Sequence, residues 1–251
     1  PPPPPPQPAE QEQERALQTR LFVEMTFGLC QREGLLEALG VEHARFRTML
    51  EHLAQGYDHV NPYHCALHAA DVLWSAHALF RGLPAAVRDA FAPAEVMALY
   101  VAAAGHDSGH FRKNNLFLKN SGHHLAEQYP TSTLENLHAT NVLGVLRDPQ
   151  CGISGWTKLG GGGGGGEGGE GGEGGGASSG RDDLLSLVKE LILATDMARH
   201  GELLGRYREW VQRTRGSAND CTEISANICS PERPGAVLVT PTAPTEPHLA
   251  Q

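Results

Sequence analysis

Four histidines of this chain stand at spacings that could do joint chemistry. His64 and His68 are four residues apart, as are His106 and His110, and Asp107 follows His106 directly. On a helix, residues four apart project from one face a turn apart, so each pair would present two imidazoles together. His106-Asp107 also closes the almost wholly apolar stretch Ala94–Gly105, and ionisable groups at the end of such a stretch need partners. A divalent metal shared by imidazole nitrogens and a carboxylate would satisfy them at once. Two plainer arrangements use the same spacing: hydrogen-bonded core histidines, and two solvated helix faces.

The elements that must position these residues read as helices. In Arg15–Cys30, Leu17, Leu21, Met25 and Leu29 recur every four residues, which suggests one apolar stripe. Glu42–Gly56 carries Phe46, Met49, Leu50 and Leu53 in similar fashion, and Asn61-Pro62 breaks the chain before a helix-like run from Tyr63 to Phe80. Ala94–Gly105 has the composition of a buried central helix. Leu118–Gln128 and Thr131–Leu146 give two more runs, the second opening on Thr131, Ser132 and Thr133 as N-cap candidates. Asp182–Ala198 and Leu203–Trp210 complete the series. No segment alternates as a strand does, so the expected class is all-α.

Composition sets the limits of the ordered part. Of 17 prolines, seven lie in Pro1–Pro8, and 15 of 30 glycines lie in Gly160–Gly180. Residues 1–11 are expected to be a disordered Pro-rich tail and residues 216–251 a disordered Ser/Thr/Pro-rich tail. Residues 12–215 remain as one domain, with 160–180 as a flexible Gly-rich insertion. A coil of that length spans roughly 25 Å and costs only about 1 kcal/mol of extra closure entropy. A formal charge of −9 argues against a nucleic-acid binder, which normally carries a basic stripe. No run of apolar residues is long enough to span a membrane. Five cysteines without a CxxC pair point to a reducing compartment rather than a disulfide framework or zinc ribbon.

The residues around the histidines resemble a known family. Tyr63-His64-Cys65-Ala66-Leu67-His68-Ala69-Ala70-Asp71-Val72 is similar to the YHNxxHAxDV motif of class I 3′,5′-cyclic nucleotide phosphodiesterases. His106-Asp107-Ser108-Gly109-His110, with Asn115 and Phe117-Leu118, resembles that family's HDxxHxGxxNxFL metal motif. Leu134-Glu135-Asn136-Leu137-His138 resembles LENHH, and Ala194-Thr195-Asp196-Met197 resembles ATDM. All four stand in the family's order, over about residues 15–212.

The resemblance implies a compact multi-helix HD-type domain that hydrolyses cyclic AMP or cyclic GMP to the 5′-monophosphate in intracellular, cytoplasmic signalling. It implies that His68, His106 and Asp107 bind a tight Zn2+, and that Asp107 bridges to a second metal, Mg2+ or Mn2+. His64 would be the general acid for the 3′ oxygen, with His110 and Glu135 holding waters or orienting that acid. Tyr63, Asn115 and Met197 would lie at the substrate pocket. Asn115 and Asn136 also read as structural hydrogen-bonders, and Asp196 as a pocket-wall or core residue.

Some positions depart from the pattern: Cys65 stands for asparagine, Gly109 for an acidic residue, Arg112 for glycine and Leu137 for histidine. The family's further metal-binding aspartate and purine-gripping glutamine have no counterpart between Val211 and Gln251. The expectation is therefore a domain incomplete at its C-terminal end. The alternatives are a catalytically impaired fragment with a regulatory or vestigial role, or another HD-type phosphohydrolase. Nucleotide preference and oligomeric state have no sequence signal here.

Overall fold

The computed structural model describes residues 8–151 and 176–215, with side chains over 8–151 and 184–212. Its elements are α1 (Pro8–Arg32), α2 (Leu35–Ala38), α3 (His43–Gln55), α4 (Ala66–Gly82), α5 (Ala85–Arg88) and α6 (Pro93–Gly105), followed by α7 (Asn115–Asn120), α8 (His124–Gln128), α9 (Thr133–Arg147), α10 (Gly176–Leu193) and α11 (His200–Arg215). A 3-10 turn, Met197–Arg199, separates the last two. No strand occurs among the described residues.

The core forms around α6. From Val96 to Gly105 every residue except Leu99 is buried, because a helix that is apolar all round has no face to give to water. The other long helices cover it: α4 and α10 pack most extensively on it, α1 and α9 also touch it, and α3 packs on α1. Small residues permit this closeness. A Cβ on Gly105 would collide with a methyl of Val142 on α9, so glycine at this position sets how near the two helices approach.

The four-residue stripe read in α1 faces the core only in its second half, where Met25 packs against it and Leu29 is buried. Leu17 and Leu21 are 50% and 47% exposed, whereas Phe22, Val23, Thr26, Phe27, Leu29 and Cys30 are buried. At 3.6 residues per turn, a strict four-residue repeat drifts about 40° per step. The helix buries the residues that stay over α3 and α4 instead. α1 also begins at Pro8, so it takes in residues 8–11, which composition assigns to the tail.

Other boundaries shift for local reasons. The run expected over Leu118–Gln128 is two short helices, α7 and α8, parted at Gly122 with φ +62°. The Tyr63–Phe80 run becomes helical only at Ala66. α10 stops at Leu193, short of Ala198, and begins at Gly176, inside the end of the glycine tract. Residues 160–175 of that tract, the first seven residues and the 216–251 tail lie outside the described residues.

Candidate metal and acid–base centre

Three elements meet at Asp107. His68 lies in the first turn of α4, His106 and Asp107 follow the last residue of α6, and His138 lies on α9. The His68 and His106 Nε2 atoms are 3.6 Å and 3.1 Å from Asp107 Oδ2, and His138 Nε2 is 3.7 Å from Oδ1. One carboxylate thus faces three imidazoles.

Backbone carbonyls set the ring orientations. His106 Nδ1 bonds the Ala103 carbonyl at 2.9 Å, and His138 Nδ1 bonds the Ser108 carbonyl at 2.8 Å. An imidazole donating from Nδ1 presents the Nε2 lone pair to a cation. Tyr57, buried between α3 and α6, donates its hydroxyl to the Ala104 carbonyl and accepts from the Asp107 N–H. The residues therefore fit a divalent cation: ligand atoms of His68, His106 and Asp107 all lie within 4.8 Å of one another.

The electrostatics follow from burial and from this carboxylate. Desolvation works against the Asp107 charge, but His106 and its neighbouring histidines outweigh it and hold the carboxyl at about 2. Burial pushes His138 down to about 4. Burial also lowers His68 and His110, each helped by a neighbouring histidine. His106 is raised, because its bond to Asp107 and that group's charge overcome its own desolvation.

The two i,i+4 pairs are not helical pairs. His64 precedes α4, and His110 follows a turn in which Gly109 takes φ +81°, a left-handed conformation that suits a residue without a side chain. Loops bring the rings together instead. His64 stacks on His110 with centroids 3.7 Å apart, and His110 lies 5.7 Å from His138 in a second stacked contact. Asn61, buried, holds both loops: its Oδ1 accepts from the Tyr63 and His64 N–H groups, and its Nδ2 donates to the His110 carbonyl. Tyr63, 61% exposed, leans on His68 at 4.4 Å.

Glu135 sits in the first turn of α9, with burial raising its carboxyl and an Asn115 hydrogen bond opposing that. Asn115 Nδ2 donates to Glu135 at 2.9 Å, and its Oδ1 accepts from the Leu134 N–H at 2.8 Å. It thereby caps α9, a role open because Ser132, at the N-cap position with φ 47°, makes no side-chain cap. The Ser132 hydroxyl donates to Asp196 at 2.6 Å, and Asp196 caps the 3-10 turn through the Ala198 N–H. Met197, in that turn, is 76% exposed.

The structure thus gathers Tyr63, His64, His68, His106, Asp107 and His110, sets Glu135 with Asn115 beside them, and leaves Met197 on the surface. It adds His138, Asn61 and Ser132, which the sequence places in the LENHH-like stretch, at the Asn61-Pro62 break and among the N-cap candidates without giving them a role at the site. The signal for His138 was present, since Glu135 and His138 are three apart on one helical face.

An all-helical bundle that converges histidines on an aspartate at the end of its central helix defines an HD-type domain. Residues 63–160 match the sequence profile of the 3′5′-cyclic nucleotide phosphodiesterase family. The chain is 30% identical over 185 residues to the 3′,5′-cyclic-AMP phosphodiesterase 4 of Dictyostelium discoideum, covering 73% of this chain and 16% of that protein. It is 30% identical over 162 residues to the cGMP-specific 3′,5′-cyclic phosphodiesterase gamma of Plasmodium yoelii, covering 64% and 18%. The phosphodiesterase domain of the RhoPDE fusion protein from the choanoflagellate Salpingoeca rosetta superposes with a TM-score of 0.58 at 25% identity, over 79% of this chain and 53% of that one. The chain belongs to the class I cyclic nucleotide phosphodiesterases. It spans less than a fifth of the length of these two curated relatives.

Proposed function

We propose that this chain carries the metal centre of a phosphodiesterase that hydrolyses 3′,5′-cyclic nucleotides to 5′-monophosphates. The observation that carries the reading is the convergence of His68, His106 and His138 on Asp107, with the His64–His110 stack beside it. His68, His106 and Asp107 would hold a zinc ion, for which imidazole is a good ligand, and Asp107 would share a magnesium or manganese ion. Bound cations would supply Lewis acidity at the phosphate and lower the pKa of the attacking water.

The chain's own residues would do the rest. His64, on its loop, delivers a proton to the departing 3′ oxygen. His110, kept neutral by burial and by His64, backs that ring without competing for charge. Glu135, tethered by Asn115, orients water near the centre, and Tyr63 shields His68 from bulk solvent.

The setting we propose is the cytoplasm. The described cysteines Cys30, Cys65 and Cys151 are free thiols, and no described helix is long and apolar enough to cross a membrane. The experiment is turnover of cyclic AMP and cyclic GMP with zinc and magnesium present. Activity well above a His106→Ala control supports the reading; parity with that control overturns it.

A further inference from the structure

We propose that His52, Asp148 and Cys151 form a second zinc site, separate from the centre at Asp107. His52 lies in the last turn of α3, Asp148 is the C-cap of α9, and Cys151 follows in the next turn. His52 Nδ1 is 3.1 Å from Cys151 Sγ. One ligand atom from each of the three residues lies within 4.8 Å of the others. In tetrahedral zinc, with bonds of about 2.0 Å to nitrogen and 2.3 Å to sulfur, ligand atoms stand roughly 3.5 Å apart. The cluster is therefore close to the required spacing before any ion binds.

The local backbone already holds the ligands. The Cys151 N–H donates to the Asp148 carbonyl at 3.1 Å, and the Gln150 N–H donates to Asp148 Oδ1 at 2.8 Å. The turn thereby turns a carboxylate and a thiol to the same side. Cys151 is buried, and three protein ligands would leave the fourth position of a tetrahedral zinc to water. Thiolate, imidazole and carboxylate together select zinc over magnesium.

On binding, the Cys151 S–H bond breaks, its proton leaves to solvent, and a sulfur lone pair forms the bond to zinc. The ion would fasten the end of α9 to the end of α3. Those helices flank the catalytic region: α9 carries Glu135 and His138, and the Gly56 carbonyl just after α3 accepts from the Gly109 N–H at 2.7 Å. The site would brace that region without taking part in its chemistry.

Cobalt titration of the intact chain tests this, because a thiolate on cobalt gives a charge-transfer absorption that imidazole and carboxylate do not. The band should appear in the wild type and in His106→Ala, which disrupts the other cluster. It should be lost in Cys151→Ser and His52→Ala, persist in Cys65→Ser, and need at least ten-fold more cobalt in Asp148→Asn, an isosteric change that leaves packing alone. Zinc should displace the cobalt and excess magnesium should not. Absence of the band in folded wild type, its survival in Cys151→Ser, or its loss in Cys65→Ser or His106→Ala would overturn the proposal.

Discussion

The rings of His64 and His110 lie face to face, 3.7 Å between centroids and 12° from parallel, although neither residue belongs to a helix. Their alignment depends on a third side chain, since Asn61 bonds the backbone on both sides of the stack.

Asn61→Ala should therefore act on catalysis more than on folding. Three hydrogen bonds are lost and partly buried backbone groups lose their partner, which costs about 1–3 kcal/mol. Misplacing an acid by about 1 Å can cost on the order of 100-fold in rate. The expected result is a folded chain with turnover down roughly 10- to 100-fold. Asn61→Asp, which keeps the acceptor for Tyr63 and His64, should recover part of it. Paired kcat and thermal-melt measurements check this; equal losses in both variants would argue against the clamp.

Asp107→Asn isolates charge from shape. The amide fills the same space but no longer offers an anion to the three imidazoles. Zinc affinity should fall by more than about 100-fold, since even outer partners of a ligand are worth 10- to 100-fold. Metal content after equilibrium dialysis reads this directly. His138→Ala should have the smaller effect.

Much of the scaffold was legible because its signals are local. α3 and α6 declare themselves by periodicity and by continuous apolar composition, and His68, His106 and Asp107 by motif. Features that act across the chain were not. Asn61 reaches His110, 49 residues on, and Ser132 reaches Asp196, 64 residues on. Nothing in the neighbourhood of either residue encodes its partner. Helical spacing also misled at His110, because α6 ends at Gly105 and Gly109 takes a left-handed conformation in the turn that follows, yet the loop returns the ring to His64.

Protonation of His138 should lower the stability of the metal-free chain. Its pKa is about 4 in the fold against about 6.5 unfolded. Between those values the unfolded chain binds the proton and the folded chain does not, so stability falls as pH drops from about 6.5 toward 4. The full shift corresponds to about 3 kcal/mol. Denaturant midpoints in the presence of a chelator, compared with a His138→Gln variant over pH 7 to 4, give the measurement. The two curves should diverge in that direction; parallel curves would show that His138 does not titrate as its burial requires.

The approach of α6 to α9 makes a prediction about packing alone. In an isolated helix, Gly105→Ala would gain about 1 kcal/mol. Here the new methyl meets the Val142 side chain, and overpacking a tight core costs about 1–3 kcal/mol. The collision should win, leaving Gly105→Ala less stable than wild type by about 1–2 kcal/mol. Val142→Ala should also destabilise, through the cavity it opens. Combined, the two changes fill one another's space, so the double variant should be more stable than the sum of the single effects by about 1–2 kcal/mol. Chemical denaturation of the four proteins in the cycle provides the coupling. Strict additivity would mean that the helices can separate at Gly105 without cost, and that its missing side chain does not set their distance.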